Sequence, residues 1–257
     1  MYFCLLSNRR ERLFAMKKCF IKACSFCKKY SEILSTIIAS TTAFLLTFLV
    51  FRYVFTKNDI YPFGNLSIAW CDLKQQGIPL LMNLKDVLCG DGSLLYSFNN
   101  ASGMNFWGVF LFFISTPFSF LVAFFEKSDV YKLVSAFIIF KLCLSAFTAT
   151  FALSKMCKKT YKGINVALGI SYGLCAYGLM YSQNIMWLDI MYLYPLLVYG
   201  IYRVTDYNKY GLYTAVLSLC VLFNFYQNLR IFLKRSISHV RSDDSATHRS
   251  LFYNLKR

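Results

Sequence analysis

Histidine is nearly absent from this sequence: there are two in 257 residues, His239 and His248. A Ser-His-Asp or Cys-His nucleophilic site before residue 239 is thereby excluded. HExxH, Walker A and GxGxxG patterns are missing as well, and with them the zinc-protease, P-loop and dinucleotide chemistries those patterns support. Gly90-Asp91-Gly92 reads as a turn rather than a phosphate cradle. Charge is also scarce, at 16% of residues, where soluble domains carry about 25%. What is present is apolar: 57% of residues are hydrophobic and 19% aromatic, with a mean hydropathy of +0.46. These residues fall in blocks long enough to cross a bilayer core of about 30 Å. The sequence therefore describes an all-α, polytopic protein of the cell membrane, with the lipid bilayer as its first partner.

The formal net charge is +16, yet its placement excludes nucleic acid as a partner. Lys and Arg cluster at 9–29, 155–162 and 228–257. Apolar blocks separate these clusters, as in loops that flank membrane spans. No RNA- or DNA-binding motif interleaves them. The ten cysteines lie mostly inside apolar runs, where Cys behaves as a small hydrophobe. Cys24-Ser-Phe-Cys27 is a lone CxxC with no second pair, so no zinc or redox site is expected from it.

Residues 1–32 carry eight basic and two acidic side chains and form a basic cytoplasmic segment. Met16-Lys17-Lys18 resembles a natural start, which would make residues 1–15 an upstream extension. The run from Ile33 to Phe55 is 23 residues long and broken only by Arg52. That is too long for the apolar core of a signal peptide and long enough to span. It is read as the first span, with a cytoplasmic N-terminus. Further apolar blocks occupy 105–125, 133–154, 164–182, 190–202 and 210–227.

Charge parity decides which of these cross. If 105–125 crossed, the basic loop at 155–162 and also Arg203 and Lys209 would lie outside, against the positive-inside bias. Pro117, in the middle of that block, favours two short helical pieces over one straight span. The block is therefore expected to be interfacial or re-entrant, within a large outer loop at 56–130. About five spans remain, at 33–55, 133–154, 164–182, 190–202 and 210–227, making a transmembrane domain at 33–227. Gly169, Gly173 and Gly178 in the third span are expected to allow close helix packing. The tail, 228–257, adds seven basic residues and both histidines without apolar periodicity. It is expected to mark a truncated or frame-shifted copy of a longer protein.

Three ionisable residues stand out as candidate site residues. Asp72 follows the first span by about 17 residues. A carboxylate there could deprotonate an acceptor hydroxyl, or hold a divalent cation against a lipid phosphate. Asp189, in Gln183-Asn184-Ile-Met-Trp187-Leu-Asp189, lies between two apolar blocks, where acids are costly and tend to have a partner. Trp187 suits the headgroup region as an anchor. Lys141 sits about ten residues into the second span, too deep to snorkel easily. It needs a counter-charge: Asp189, Asp72 or the phosphate of a lipid substrate.

From Asp72 onward the chain resembles the YfhO family of bacterial membrane proteins. The matching residues are Asp72-Leu-Lys-Gln75-Gln76-Gly-Ile-Pro79, Gly92-Ser93-Leu94-Leu95-Tyr96-Ser97-Phe98 and Gly103-Met-Asn105-Phe106-Trp107-Gly108. Ser115-Thr-Pro117-Phe118, Lys141-Leu142, Asn184-Ile-Met-Trp187-Leu188-Asp189 and Asn224-Phe225-Tyr226 follow. The resemblance covers about residues 30–227. It implies a glycosyltransferase C-like fold and an enzyme that takes a sugar from a polyprenyl-phosphate donor and adds it to a cell-envelope polymer, such as teichoic acid. By the same resemblance Asp72 is the catalytic acid of the first outer loop. Lys141, Asp189, Gln75, Gln76 and Trp187 are the expected substrate-binding residues. Family members continue into further spans, whereas this chain turns into an unrelated basic tail at about Asn228. Gln75-Gln76 stands where the family often has Gln-Tyr. Two other functions remain open: a transporter or flippase for a lipid-linked substrate, which Lys141 and the glycine-rich span would suit, and a non-catalytic truncated membrane protein.

Overall fold

A computed structural model describes residues 2–99 and 102–223, with side chains described from Tyr30 onward. Eight α-helices follow in chain order among the described residues. They are α1 (Tyr2–Lys57), α2 (Ile78–Cys89), α3 (Phe106–Val109), α4 (Val130–Met156), α5 (Lys162–Gly173), α6 (Ala176–Met180), α7 (Trp187–Tyr207) and α8 (Gly211–Phe223). No strand forms among the described residues, only two isolated bridges, Ile60 to Leu66 and Ser97 to Met104. The Cys24–Cys27 pair and the tail from residue 224 fall outside the described side chains.

Among the described residues, three helical segments are long and apolar enough to cross a membrane: Tyr30–Lys57, Lys127–Met156 and Lys162–Gln183. A fourth is added if the bent pair Phe106–Ile114 and Pro117–Phe124, which meet at 112°, counts as one span. The count is below five because α7 mixes Asp189, Arg203 and Asp206 into its apolar run, and α8 is 13 residues long as described. α7 nevertheless has 21 residues, from Trp187 to Tyr207, or about 31 Å at 1.5 Å per residue.

α4 is the hub of the bundle. Of its most apolar window 67% is buried, against 28% for the corresponding window of α1, and it packs on α1, α5 and α7. α1 runs antiparallel to it. Near one end Lys162, just beyond α4, donates to the Thr36 hydroxyl of α1, and near the other Lys132 lies over the ring of Tyr61. The buried face of α1 is a narrow stripe of mostly small residues, Thr36, Ala39, Ser40, Ala43 and Thr47, widening to Phe51 and Phe55. Small side chains let two helix backbones approach closely in lipid. The Thr36 and Ser40 hydroxyls donate to carbonyls one turn back, at Glu32 and Thr36.

The glycines of α5 and α6 serve the same purpose. A Cβ on Gly173 would lie 2.9 Å from the Leu142 carbonyl oxygen and 2.9 Å from the Ala146 Cβ, and one on Gly169 would lie 2.9 Å from the Ala146 carbonyl oxygen. Gly178 meets Leu142 and Met191 in the same way. Gly173→Val is therefore expected to push α5 off α4 at a cost of about 1–3 kcal/mol. Gly211→Ala, with nothing within 4 Å, is expected to cost almost nothing. Thermal unfolding of the purified protein in detergent compares the two.

The apolar block 164–182, read as the third span, falls within the segment Lys162–Gln183; inside it the helix breaks between Gly173 and Ala176 and resumes as α6 and a 3-10 turn, Tyr181–Gln183. The block 105–125 is broken more sharply. α3 passes into a π-helical stretch, Phe110–Ile114, and the chain then turns at Ser115 and Thr116 into a 3-10 segment, Pro117–Phe124. Proline explains the turn: it bars helical geometry from the residue before it, and Thr116 is extended, at φ −118° and ψ 146°.

Candidate functional site

The turn at Thr116 points a hydroxyl into the bundle, where it meets the two ionisable residues singled out in α4 and α7. Lys141 Nζ lies 2.8 Å from Asp189 Oδ1, with both side chains completely buried. The ammonium also donates to Thr116 Oγ1 at 3.1 Å and to the Ile185 carbonyl oxygen at 2.9 Å. A lysine has three N–H donors, and here all three have acceptors. Thr116 Oγ1 in turn donates to Asp189 Oδ1 at 3.1 Å. The ring of Phe118 lies 5.4 Å from the ammonium. The Tyr192 side chain, almost one turn along α7, also interacts with the carboxylate. Asp189 Oδ2 has no partner in hydrogen-bonding geometry.

This cluster ties three separate pieces of chain: α4, the N-terminal turn of α7 and the bend at Thr116. Burying the two charges costs several kcal/mol per ion, which their attraction offsets only in good geometry with further hydrogen bonds. The arrangement meets those terms on the lysine side, where each N–H has an acceptor, while one carboxylate oxygen of Asp189 is left without a hydrogen bond. Thr116 was not evident in the sequence as a partner of this pair; its one signal was its place before Pro117, where the chain had to turn.

Asp72 sits elsewhere and differs in character. It is exposed, with no hydrogen bond or ion pair among the described residues. Its surroundings are held from both sides. Before it, the buried Gln183 side-chain amide grips the backbone, accepting from Trp70 N at 3.0 Å through Oε1 and donating to the Ile68 carbonyl oxygen at 3.3 Å through Nε2. After it, the fully buried Leu73 anchors a π-helical turn, Leu73–Gly77. Between the two, Cys71 takes a left-handed conformation at φ 42°, uncommon for a residue with a side chain and frequent at functional sites. π-helical turns also concentrate at such sites. Gln183 is a second residue that sequence reasoning missed.

Gln75 and Gln76 are exposed on that same turn. Trp187 is half-buried and packs on Tyr181 at 5.2 Å, which packs on Tyr177 at 5.0 Å. The structure thus gathers Asp72, Gln75 and Gln76 on one exposed turn and Lys141 with Asp189 in one sealed cluster, bridged by the segment Gln183–Asp189. Asp59 and Asp86, also within residues 56–130, have partners. Asp59 accepts from Asn65 N at 3.2 Å, and Asp86 pairs with Lys127 at 2.6 Å. Asp91 is exposed, beside the left-handed Gly90 that ends α2. Among the described residues no three His, Cys, Asp or Glu side chains come together as a metal-ion site.

Trp70, Trp107 and Phe124 are exposed, and aromatic residues of this kind are enriched where a protein meets the membrane interface. Residues 43–228 match the family model described as bacterial membrane protein YfhO. The match runs from the first long helix to just past α8 and includes every candidate site residue. No curated protein and no solved structure matches the chain.

Proposed function

Given that the chain belongs to the YfhO family of bacterial membrane proteins, we propose that it acts as a membrane glycosyltransferase. In this reading it moves a sugar from a polyprenyl-phosphate donor to a hydroxyl of a cell-envelope polymer such as teichoic acid. The observation that carries the reading is the setting of Asp72, an unpaired, exposed carboxylate on a backbone clamped by Gln183 and bent at Cys71. A fixed carboxylate suits a general base. As the acceptor oxygen attacks the anomeric carbon, Asp72 takes the hydroxyl proton, the sugar–phosphate bond breaks and the polyprenyl phosphate leaves with the bonding electrons. Gln75 and Gln76, on the same turn, are placed to hydrogen-bond sugar or acceptor hydroxyls. Trp187 and its tyrosine neighbours offer an aromatic face beside the segment that supports Asp72.

Positive-inside bias supports an orientation with the N-terminus in the cytoplasm and Asp72 outside. Lys155, Lys158, Lys159 and Lys162 then lie inside at the other end of α4, and the bent block 106–124 dips into the membrane without crossing. Lys141 and Asp189 act in this account by holding the bend and α7 in place beneath the site. The features that suited a transporter, Lys141 and the glycines of the third span, are both engaged in packing. The assay is transfer of labelled sugar from a polyprenyl-phosphate donor to envelope polymer by vesicles from cells expressing the protein. Incorporation above vesicles without it supports the reading. None, with the protein inserted and the donor present, would remove it.

A further inference from the structure

We propose that a basic cleft at the end of the bundle remote from Asp72 binds the phosphate headgroup of an anionic phospholipid. The cleft, of about 490 Å³, lies where the described side chains of α1 begin, beside the ends of α4 and α7. Its volume falls in the range of about 300–1,000 Å³ usual for ligand pockets. Lys155, Lys158, Arg203 and Lys209 line it, against the single carboxylate of Glu32. Asp206, nearby on α7, is engaged with Tyr202. Lys162, also near, is bonded to Thr36 and to the Ser154 carbonyl oxygen.

The cleft cations are not neutralised by one another's neighbours. Ion pairs among the described residues involve Lys127, Lys132 and Lys141, and none of the four cleft cations. Three of them lie beside aromatic rings. Arg203 lies 6.0 Å from the Tyr199 ring, Lys158 lies 6.0 Å from the Tyr207 ring, and Lys155 lies 6.0 Å from the Phe151 ring. Those rings pack on one another, Phe151 on Tyr199 and Tyr199 on Tyr202. A cation over an aromatic face keeps its N–H donors available at the ring's edge, and a guanidinium can grip a phosphate with two parallel bonds. Two half-buried cations, Lys155 and Arg203, and two exposed ones, Lys158 and Lys209, short of carboxylates and three of them beside aromatic rings, make an anion site at the end of the bundle. Basic pockets of this kind between membrane helices take anionic lipids. The chain's own tail does not suit the cleft, since residues 228–257 carry seven basic and two acidic side chains. The proposal does not depend on the glycosyltransferase reading.

The test is a titration of phosphatidylglycerol into the purified full chain in neutral detergent, with bound lipid counted by native mass spectrometry. Removing two cations in the Lys158→Gln/Arg203→Gln variant is expected to weaken binding about 30-fold, from about fivefold for each. The charge-matched tail variant Lys234→Gln/Arg235→Gln is expected to bind like the wild type. Arg203→Lys, which keeps the charge but loses the two-pronged grip, is expected to weaken binding a few-fold and carries the test if the double variant does not fold. Equal losses in the cleft and tail variants would overturn the proposal in favour of diffuse attraction. Equal binding of phosphatidylcholine would overturn it as well. Competition by glycerol 3-phosphate at the same concentration as the lipid would reassign the cleft to a free phosphate ligand.

Discussion

Asp189→Asn is expected to destabilise the folded protein by about 3–5 kcal/mol, the usual effect of removing one partner from a buried ion pair. The reason lies with the residue left behind. Lys141 is completely buried, and its charge would then face only neutral groups: the asparagine amide, a threonine hydroxyl, a backbone carbonyl and the Phe118 ring. Lys141→Met leaves the mirror-image problem, a buried carboxylate whose Oδ2 already has no partner in hydrogen-bonding geometry. Replacing both residues together, Lys141→Met with Asp189→Leu, is expected to cost less than either single change, because no uncompensated charge remains. A double-mutant cycle on thermal unfolding in detergent measures this coupling. Single losses below about 1 kcal/mol would mean that the pair is hydrated or dispensable.

Asp72→Asn is expected to do the opposite: leave the fold alone and abolish sugar transfer. An exposed side chain with no partner among the described residues contributes little to stability, so the unfolding midpoint should shift by no more than about 0.5 kcal/mol equivalent. General base catalysis contributes about 100- to 10,000-fold in rate. The labelled-donor assay should therefore fall at least 100-fold at equal amounts of inserted protein. An asparagine variant that transfers sugar normally would remove Asp72 from the mechanism. Together the two variants would separate the proposed roles, one carboxylate supporting the architecture and the other the chemistry.

Much of this architecture was legible in the sequence where the physics is local. The long apolar runs of α1 and α4 are visible as composition, Pro117 foretells a turn, and the spacing of Gly169 and Gly173 foretells a close helix contact. A lysine ten residues into a span requires a counter-charge, and Asp189 was among the acids considered for it. Element ends were less legible. α7 begins at Trp187 and continues to Tyr207, beyond the apolar block 190–202, because a helix can carry its polar turns past the hydrocarbon until Asn208, in the left-handed conformation, closes it. The third span looked continuous because the block is apolar throughout its length without a proline, and nothing in its composition marks the break between Gly173 and Ala176. Thr116 and Gln183 were invisible for a related reason. Each is a neutral polar residue whose importance comes from what the fold brings to it, Gln183 reaching back to Ile68 and Trp70 across more than 110 positions.

The central claim is that Asp72 stands exposed on the outer face while the basic end of the bundle lies in the cytoplasm. Cysteines placed at 72 and 158, one at a time in a background without the native cysteines, test it with a membrane-impermeant maleimide. Position 72 should label in intact cells, and position 158 only after the membrane is opened. Labelling of 158 from outside, with 72 protected until permeabilisation, would invert the topology and contradict the assignment of Asp72 to sugar transfer on the outer face.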